Sequence, residues 1–206
     1  CIDKYIILTY KENNMYAKVE NNQVVKANSN LASFNRAAPS WSAEQLAANG
    51  IYEVVYDHSN LKDSRFYING AESFDFANDT VTASHGSATG KALDDVNATD
   101  ENGVELDPVV VISGVKSIEK NQIKAQANNS LQSTDWYVVR HAETATEIPA
   151  NISTYRTAVR TKANEMETAI DGAATIEALE ALFIYINTGT EANPVNARPI
   201  GEWPTL

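Results

Sequence analysis

Imidazole, thiol and clustered carboxylate side chains are the groups that could do chemistry in this chain, and their spacing limits what that chemistry could be. His58, His85 and His141 stand too far apart in sequence to suggest a zinc site, and zinc needs more ligands than the chain supplies. A single cysteine, Cys1, excludes an intrachain disulfide and a Cys-rich metal centre. The serines lack the Gly-x-Ser-x-Gly setting of a strained nucleophile turn. Gly86-Ser87-Ala88-Thr89-Gly90-Lys91 ends like a phosphate-cradling loop. Its two glycines are one residue too close, however, and Ala92 stands where a magnesium-binding hydroxyl is needed. The acidic run Asp94–Asp107 places Asp100, Asn102 and Gly103 as a calcium loop would. Ala98 and Val109 fall at the two end-ligand positions, so it reads as a solvated acidic turn. No metal, cofactor or nucleotide is expected.

One local pattern remains. Tyr137–Thr144, Tyr-Val-Val-Arg-His-Ala-Glu-Thr, resembles the R-H-[GA]-E-T motif that closes a strand in histidine phosphatases. That resemblance implies His141 as the phosphate-accepting nucleophile beside Arg140, with Arg156, Arg160 and Arg198 as further phosphate ligands. The family order puts most of the fold, and a second histidine, after the motif. Here no histidine follows His141, and His58 and His85 lie upstream. Acid–base chemistry would lack its second imidazole, so Arg140-His141 reads instead as the exposed end of a strand.

The elements around these residues follow from periodicity and turn chemistry. Met15–Glu20 alternates and Gln23–Ala27 is β-rich, with Asn21-Asn22 between them, which predicts a tight hairpin. Ser42 is an N-cap for a short helix over Ala43–Ala48, with Gly50 past its end. Ile51–Asp57 reads as a strand. Arg65–Ile68, Ser73–Phe76 and Thr80–Ala83, broken at Asn69-Gly70 and Asn78-Asp79, read as an antiparallel meander. Pro108–Ser113 is apolar and β-branched and suits a buried strand. Helices are predicted over Ser117–Leu131, Ile152–Ile170 and Thr175–Ile186. The first has Ile118, Ile123, Ala127 and Leu131 on one face, and the second carries Ile152, Tyr155, Val159, Met166 and Ile170 as its apolar stripe. Trp136–Arg140 is predicted as a short strand, and Asn187–Leu206 as a tail rich in Pro and Gly. The fold class is α+β: a β-rich region of hairpin, short helix and meander, then a mainly helical module with one short strand. The domain reading is residues 1–14 as leader or tail, 15–113 as the β-rich domain and 114–206 as the helical module. Purine-rich codons for Lys11–Asn14 ahead of Met15 suggest translation from Met15, which would remove Cys1.

The stretch Ala125–Arg160 resembles the C-terminal module of bacteriophage tail assembly chaperones and tail-fibre assembly proteins. The likeness rests on a basic or amide-rich helix, a small-residue turn, Ser/Thr-Asp-Trp at Thr134-Asp135-Trp136, a short strand, a polar loop with Pro149, then Tyr-Arg-x-x-x-Arg on a helix at Tyr155–Arg160. Trp203-Pro204 near the end adds to it, and Met15–Val25 is similar to the opening M-[YF]-A-K-[IV]-x-N-N-x-[VI]-V of related phage proteins. The resemblance implies a non-enzymatic protein that assists tail or tail-fibre assembly by covering a tail or fibre subunit, or else a minor tail component of the virion. It implies the cytoplasm of an infected bacterium, or the virion tail, as its location. Candidate partner-binding residues are Asp135, Trp136, Tyr155, Arg156, Arg160 and Trp203. All but Trp203 have a structural alternative: Asp135 orders the turn, Trp136 is a core or hinge residue against the helix Ile152–Ile170, Tyr155 is core, and the arginines are solvated. The net charge of −11 argues against nucleic acid, and no apolar run approaches the roughly 20 residues that span a bilayer.

Overall fold

The computed structural model describes residues 14–190 and 193–206, and the chain divides into two compact units between Thr89 and Gly90. The reading of residues 1–14 as a leader, Cys1 included, lies outside the described residues except for Asn14.

In the first unit, β1 (Tyr16–Glu20) and β2 (Gln23–Asn28) form the expected hairpin. Asn21 and Asn22 both take left-handed backbone, with φ of 52° and 61°, which matches the twist of the flanking strands. Ser42 caps α1 (Ala43–Ala48) with a reciprocal capping box. Its hydroxyl accepts from the Gln45 N–H, and the Gln45 side chain accepts from the Ser42 N–H. Gly50 then turns the chain at φ 66°, where a Cβ would lie 2.7 Å from the Val19 carbonyl oxygen, and β3 (Ile51–Asp57) begins. After β4 (Tyr67–Ile68), β5 (Glu72–Ala77) and β6 (Thr80–His85) pair across a tight turn at Asn78 and Asp79.

The sheet order is β2-β1-β3-β6-β5. The expected meander is therefore only partly formed. β5 and β6 are antiparallel, but β6 lies parallel to β3, with Val54 opposite Val81. A parallel neighbour needs a crossover, and residues 58–71 together with edge strand β5 supply it. Alternation then sends Tyr52, Val54, Tyr56, Phe74, Phe76, Val81 and Ala83 to one face, around buried Ala17.

The short strand β7 (Thr89–Gly90) straddles the division, and the second unit goes on to β8 (Val96–Asn97) and β9 (Val111–Ile112), which form a two-stranded sheet. Pro108–Ser113 is not a buried strand, because Val109–Ile112 are exposed and only two residues of the run pair. The expected boundary at 113/114 falls at 89/90 instead, since the segment before α2 (Val115–Gln132) caps that helix. The Val115 and Lys116 N–H groups donate to the Ala92 and Leu93 carbonyls, and the Asp95 carboxylate accepts from the Gly114 N–H at 2.8 Å. Hydrogen bonds from Ser117 and the Gly114 N–H hold the Asp95 carboxyl below the usual carboxylate range. A Cβ at Gly114 would run into the Asp94 backbone.

Helix α2 packs antiparallel to α4 (Ala150–Gly172), with Lys120 paired to Asp171 and Lys124 to Glu167 along the seam. On α2 the expected face holds at Ile123, which is buried, and at Ala127 and Leu131, which are half-buried, but Ile118 is exposed and Val115 and Glu119 are the buried positions of the first turns. On α4 the buried stripe is Ile152, Arg156, Val159, Ala163, Met166 and Ile170. Its alternating steps of four and three are those of a helix seam. Between α2 and α4, residues Asp135–Thr144 form helix α3, not the predicted strand over Trp136–Arg140. α5 (Ile176–Ala181), capped by Thr175, ends earlier than expected. β-Branched and aromatic residues follow it, and Ile186–Asn187 (β10) pairs with Asn196–Ala197 (β11).

Candidate partner-binding site

The residues that carry the resemblance meet at one end of the α2–α4 pair. Thr134 and Asp135 lie at the α2–α3 corner, and Arg156 lies in the second turn of α4, more than 20 positions away in sequence. Arg156 is buried. Its Nη1 donates to Thr134 Oγ1 at 2.6 Å, to the Asp135 carboxylate at 2.8 Å and to the Leu131 carbonyl at 3.1 Å. Thr134 is buried as well, and its hydroxyl donates to the Leu131 carbonyl at 2.7 Å. Tyr155 Oη donates to the Ser130 carbonyl at 3.2 Å. These bonds engage the Ser130 and Leu131 carbonyls at the C-terminal end of α2, where helix carbonyls lack an i+4 donor, and hold the first turn of α3 against α4. Asp135 stands in that first turn, where a carboxylate opposes the positive end of the helix dipole.

This arrangement corrects several expectations. Arg156 is not a partner-facing or solvated arginine but the centre of the corner. Tyr155 is half-buried and serves the same corner, while Asp135 does order the turn as one of its alternatives held. Arg160 is exposed, and its guanidinium donates to the backbone carbonyl of Arg156 at 3.4 Å. Trp136 is not core: 57% of its surface is exposed, and it points away from the corner with Val139, which is 54% exposed. The Arg140 guanidinium lies over both the Trp136 ring, at 4.7 Å, and the Tyr137 ring, at 5.4 Å. Those are i, i+4 and i, i+3 neighbours, which helical spacing brings together and strand spacing does not. Trp203 sits apart from this group. Its indole N–H donates to Gln126 Oε1 at 2.8 Å, tying the terminal segment to α2. Arg198 grips Glu202 through two bonds of 2.9 and 2.7 Å, which hold the Glu202 carboxyl below its ordinary range.

The sequence reading missed Thr134 as the buried acceptor, and Val139 and Arg140 as companions of Trp136 on α3. No local signal marks Thr134, because its partner lies 22 positions on. The spacing of Trp136, Val139 and Arg140 was the available signal for the other two.

The phosphatase motif is not where that chemistry needs it. Arg140-His141 lies within a helix rather than at the end of a strand, and His141 Nδ1 is 2.8 Å from the Thr146 carbonyl. Arg156 is committed to the corner. His85 contacts the Gly70 carbonyl and His58 stacks on Tyr56, both in the other unit. Among the described residues no group of His, Cys, Asp and Glu could hold a metal ion, and no helix is long and apolar enough to cross a membrane. The acidic loop closes on itself, with the Asp100 carboxylate accepting from the Asn102 and Val104 N–H groups. An open groove of about 620 Å³ runs between α4 and the terminal segment, lined by Thr154, Thr157, Thr161, Lys162, Glu202 and Pro204 among others. Comparison with protein-family models, curated proteins and solved structures finds no match for this chain.

Proposed function

We propose that this chain is a non-enzymatic phage protein that assists tail or tail-fibre assembly by binding a tail or fibre subunit. One observation carries the reading. The Thr-Asp-Trp and Tyr-Arg residues that resemble the chaperone module form a single corner whose polar groups are satisfied internally and whose Trp136 is turned outward with Val139. Trp, Tyr and Arg are the side chains favoured at binding hot spots, and α3 presents Trp136 with Tyr137 and Arg140 against it. Binding, not turnover, is the chemistry that such a surface supports.

The test is a tagged chain produced in infected cells, with captured tail proteins and gradient-purified virions both measured by mass spectrometry. A chaperone is captured with a fibre or tail subunit from lysate and is absent from, or substoichiometric in, particles. Fixed stoichiometry in the particle makes it a tail component instead. Recovery of no tail protein sinks both. Trp136→Ala is expected to lower capture about tenfold or more, the usual size of a hot-spot loss, with only a small fall in the thermal midpoint, because Trp136 is exposed and its stack with Arg140 is worth about 0.5–1 kcal/mol.

A further inference from the structure

The β8–β9 hairpin is a second surface, independent of α3. Its two arms pair with each other and, among the described residues, with no third strand. The ladder runs on irregularly toward the turn. The Ala98 N–H donates to the Val110 carbonyl, the Leu106 N–H to the Ala98 carbonyl and the Asp100 N–H to the Val104 carbonyl, at 2.7 to 3.0 Å. An isolated two-stranded hairpin is at best marginal in water, and an uncovered strand edge is a template for pairing with another chain. Edges are normally blunted by charge on the exposed arm. Here the outer arm carries Val109, Val110, Val111 and Ile112 in succession, each about half exposed, with Val96 and Val104 exposed nearby. Four consecutive apolar residues on an extended arm point to both of its faces, so a helix laid on one face would leave the other bare, whereas an added strand and its side chains cover the edge.

Charge decides what that strand carries. Asp100, Glu101, Glu105 and Asp107 precede the apolar arm in sequence with no Lys or Arg among them, while Asp94 pairs with Lys116 at 3.2 Å and Asp95 is bound into the start of α2. The Asp100 carboxyl is held below the usual range by the Val104 and Asn102 N–H groups, so it stays charged. A second copy of this chain would bring the same acidic border and the same net charge of −11 against it. We infer that the β8–β9 hairpin is completed by an extended strand of another protein, apolar where it meets Val109–Ile112 and flanked by Lys or Arg.

Amide hydrogen exchange on the full chain tests this with two probes, a ten-residue peptide of alternating valine and lysine and its valine–glutamate counterpart. The valine–lysine peptide is expected to slow exchange in 109–112, at least tenfold more tightly than the valine–glutamate peptide, and less so as salt rises. Glu101→Lys, which changes only an exposed side chain, is expected to weaken the first peptide and strengthen the second. Equal protection by both peptides, or by neither, overturns the inference. Protection that grows with chain concentration in the absence of peptide also overturns it and assigns the arm to a second copy.

Discussion

At the scale of single residues, Arg156 does what its position in the motif could not announce. Its Nη1 meets a backbone carbonyl, a hydroxyl and a carboxylate, and such hydrogen bonding and pairing are the condition for a buried charge to be tolerated. Arg156→Ala leaves Thr134 buried without its donor and is expected to cost about 3 kcal/mol, the low end for breaking a buried pair because Asp135 stays wet; chemical denaturation of the variant measures it. Arg156→Lys is expected to recover part of that loss, since its ammonium keeps the positive charge but sits on a shorter stem and lacks the planar guanidinium. Ala145 makes the opposite point. It ends α3 in left-handed backbone at φ 55°, with its N–H donating to the His141 carbonyl. Glycine is the residue without a Cβ penalty there, so Ala145→Gly is expected to stabilise by roughly 0.5–1 kcal/mol, seen as a raised thermal midpoint.

At the scale of elements, α3 shows why propensity misleads. Trp-Tyr-Val-Val is rich in aromatic and β-branched residues, which suit a strand by composition. Asp135 at the helix start, the Arg156 contacts to the first turn and the Arg140 stack on Trp136 and Tyr137 together favour the helix. The start of α2 depends on a different device, the Asp95 carboxylate bound to the Gly114 N–H. Its folded pKa is lowered, so its contribution is complete above the unfolded value of about 3.9 and is lost as pH falls through the lower folded value. A carboxyl NMR titration is expected to place the Asp95 midpoint below that of a model aspartate. Acidification below that range should lower the amide protection factors, taken against the intrinsic exchange rate at each pH, in the first turn of α2 before those of α4.

At the scale of the molecule, the division at Thr89/Gly90 predicts which pieces fold. A fragment of residues 90–206 retains the Ala92, Leu93 and Asp95 groups that close α2, whereas one of residues 114–206 opens that helix with unpaired N–H groups. The shorter fragment is therefore expected to melt at a lower temperature, and circular dichroism of the two compares them directly.

Local chemistry was enough wherever the deciding contact lay within a few residues. Asn21-Asn22 and Asn78-Asp79 made their hairpins because paired left-handed residues suit the strand twist, and Ser42 and Thr175 capped the helices that they precede. The two long helices, too, were readable from their period. The α+β class followed from those elements. What the sequence could not determine was settled by contacts between distant residues: β6 beside β3 rather than a meander, α3 as a helix, and Arg156 in the core with Trp136 outside it. In each case the local preference is worth less than the burial and hydrogen bonding gained when the distant partner arrives, and only the folded chain brings that partner near.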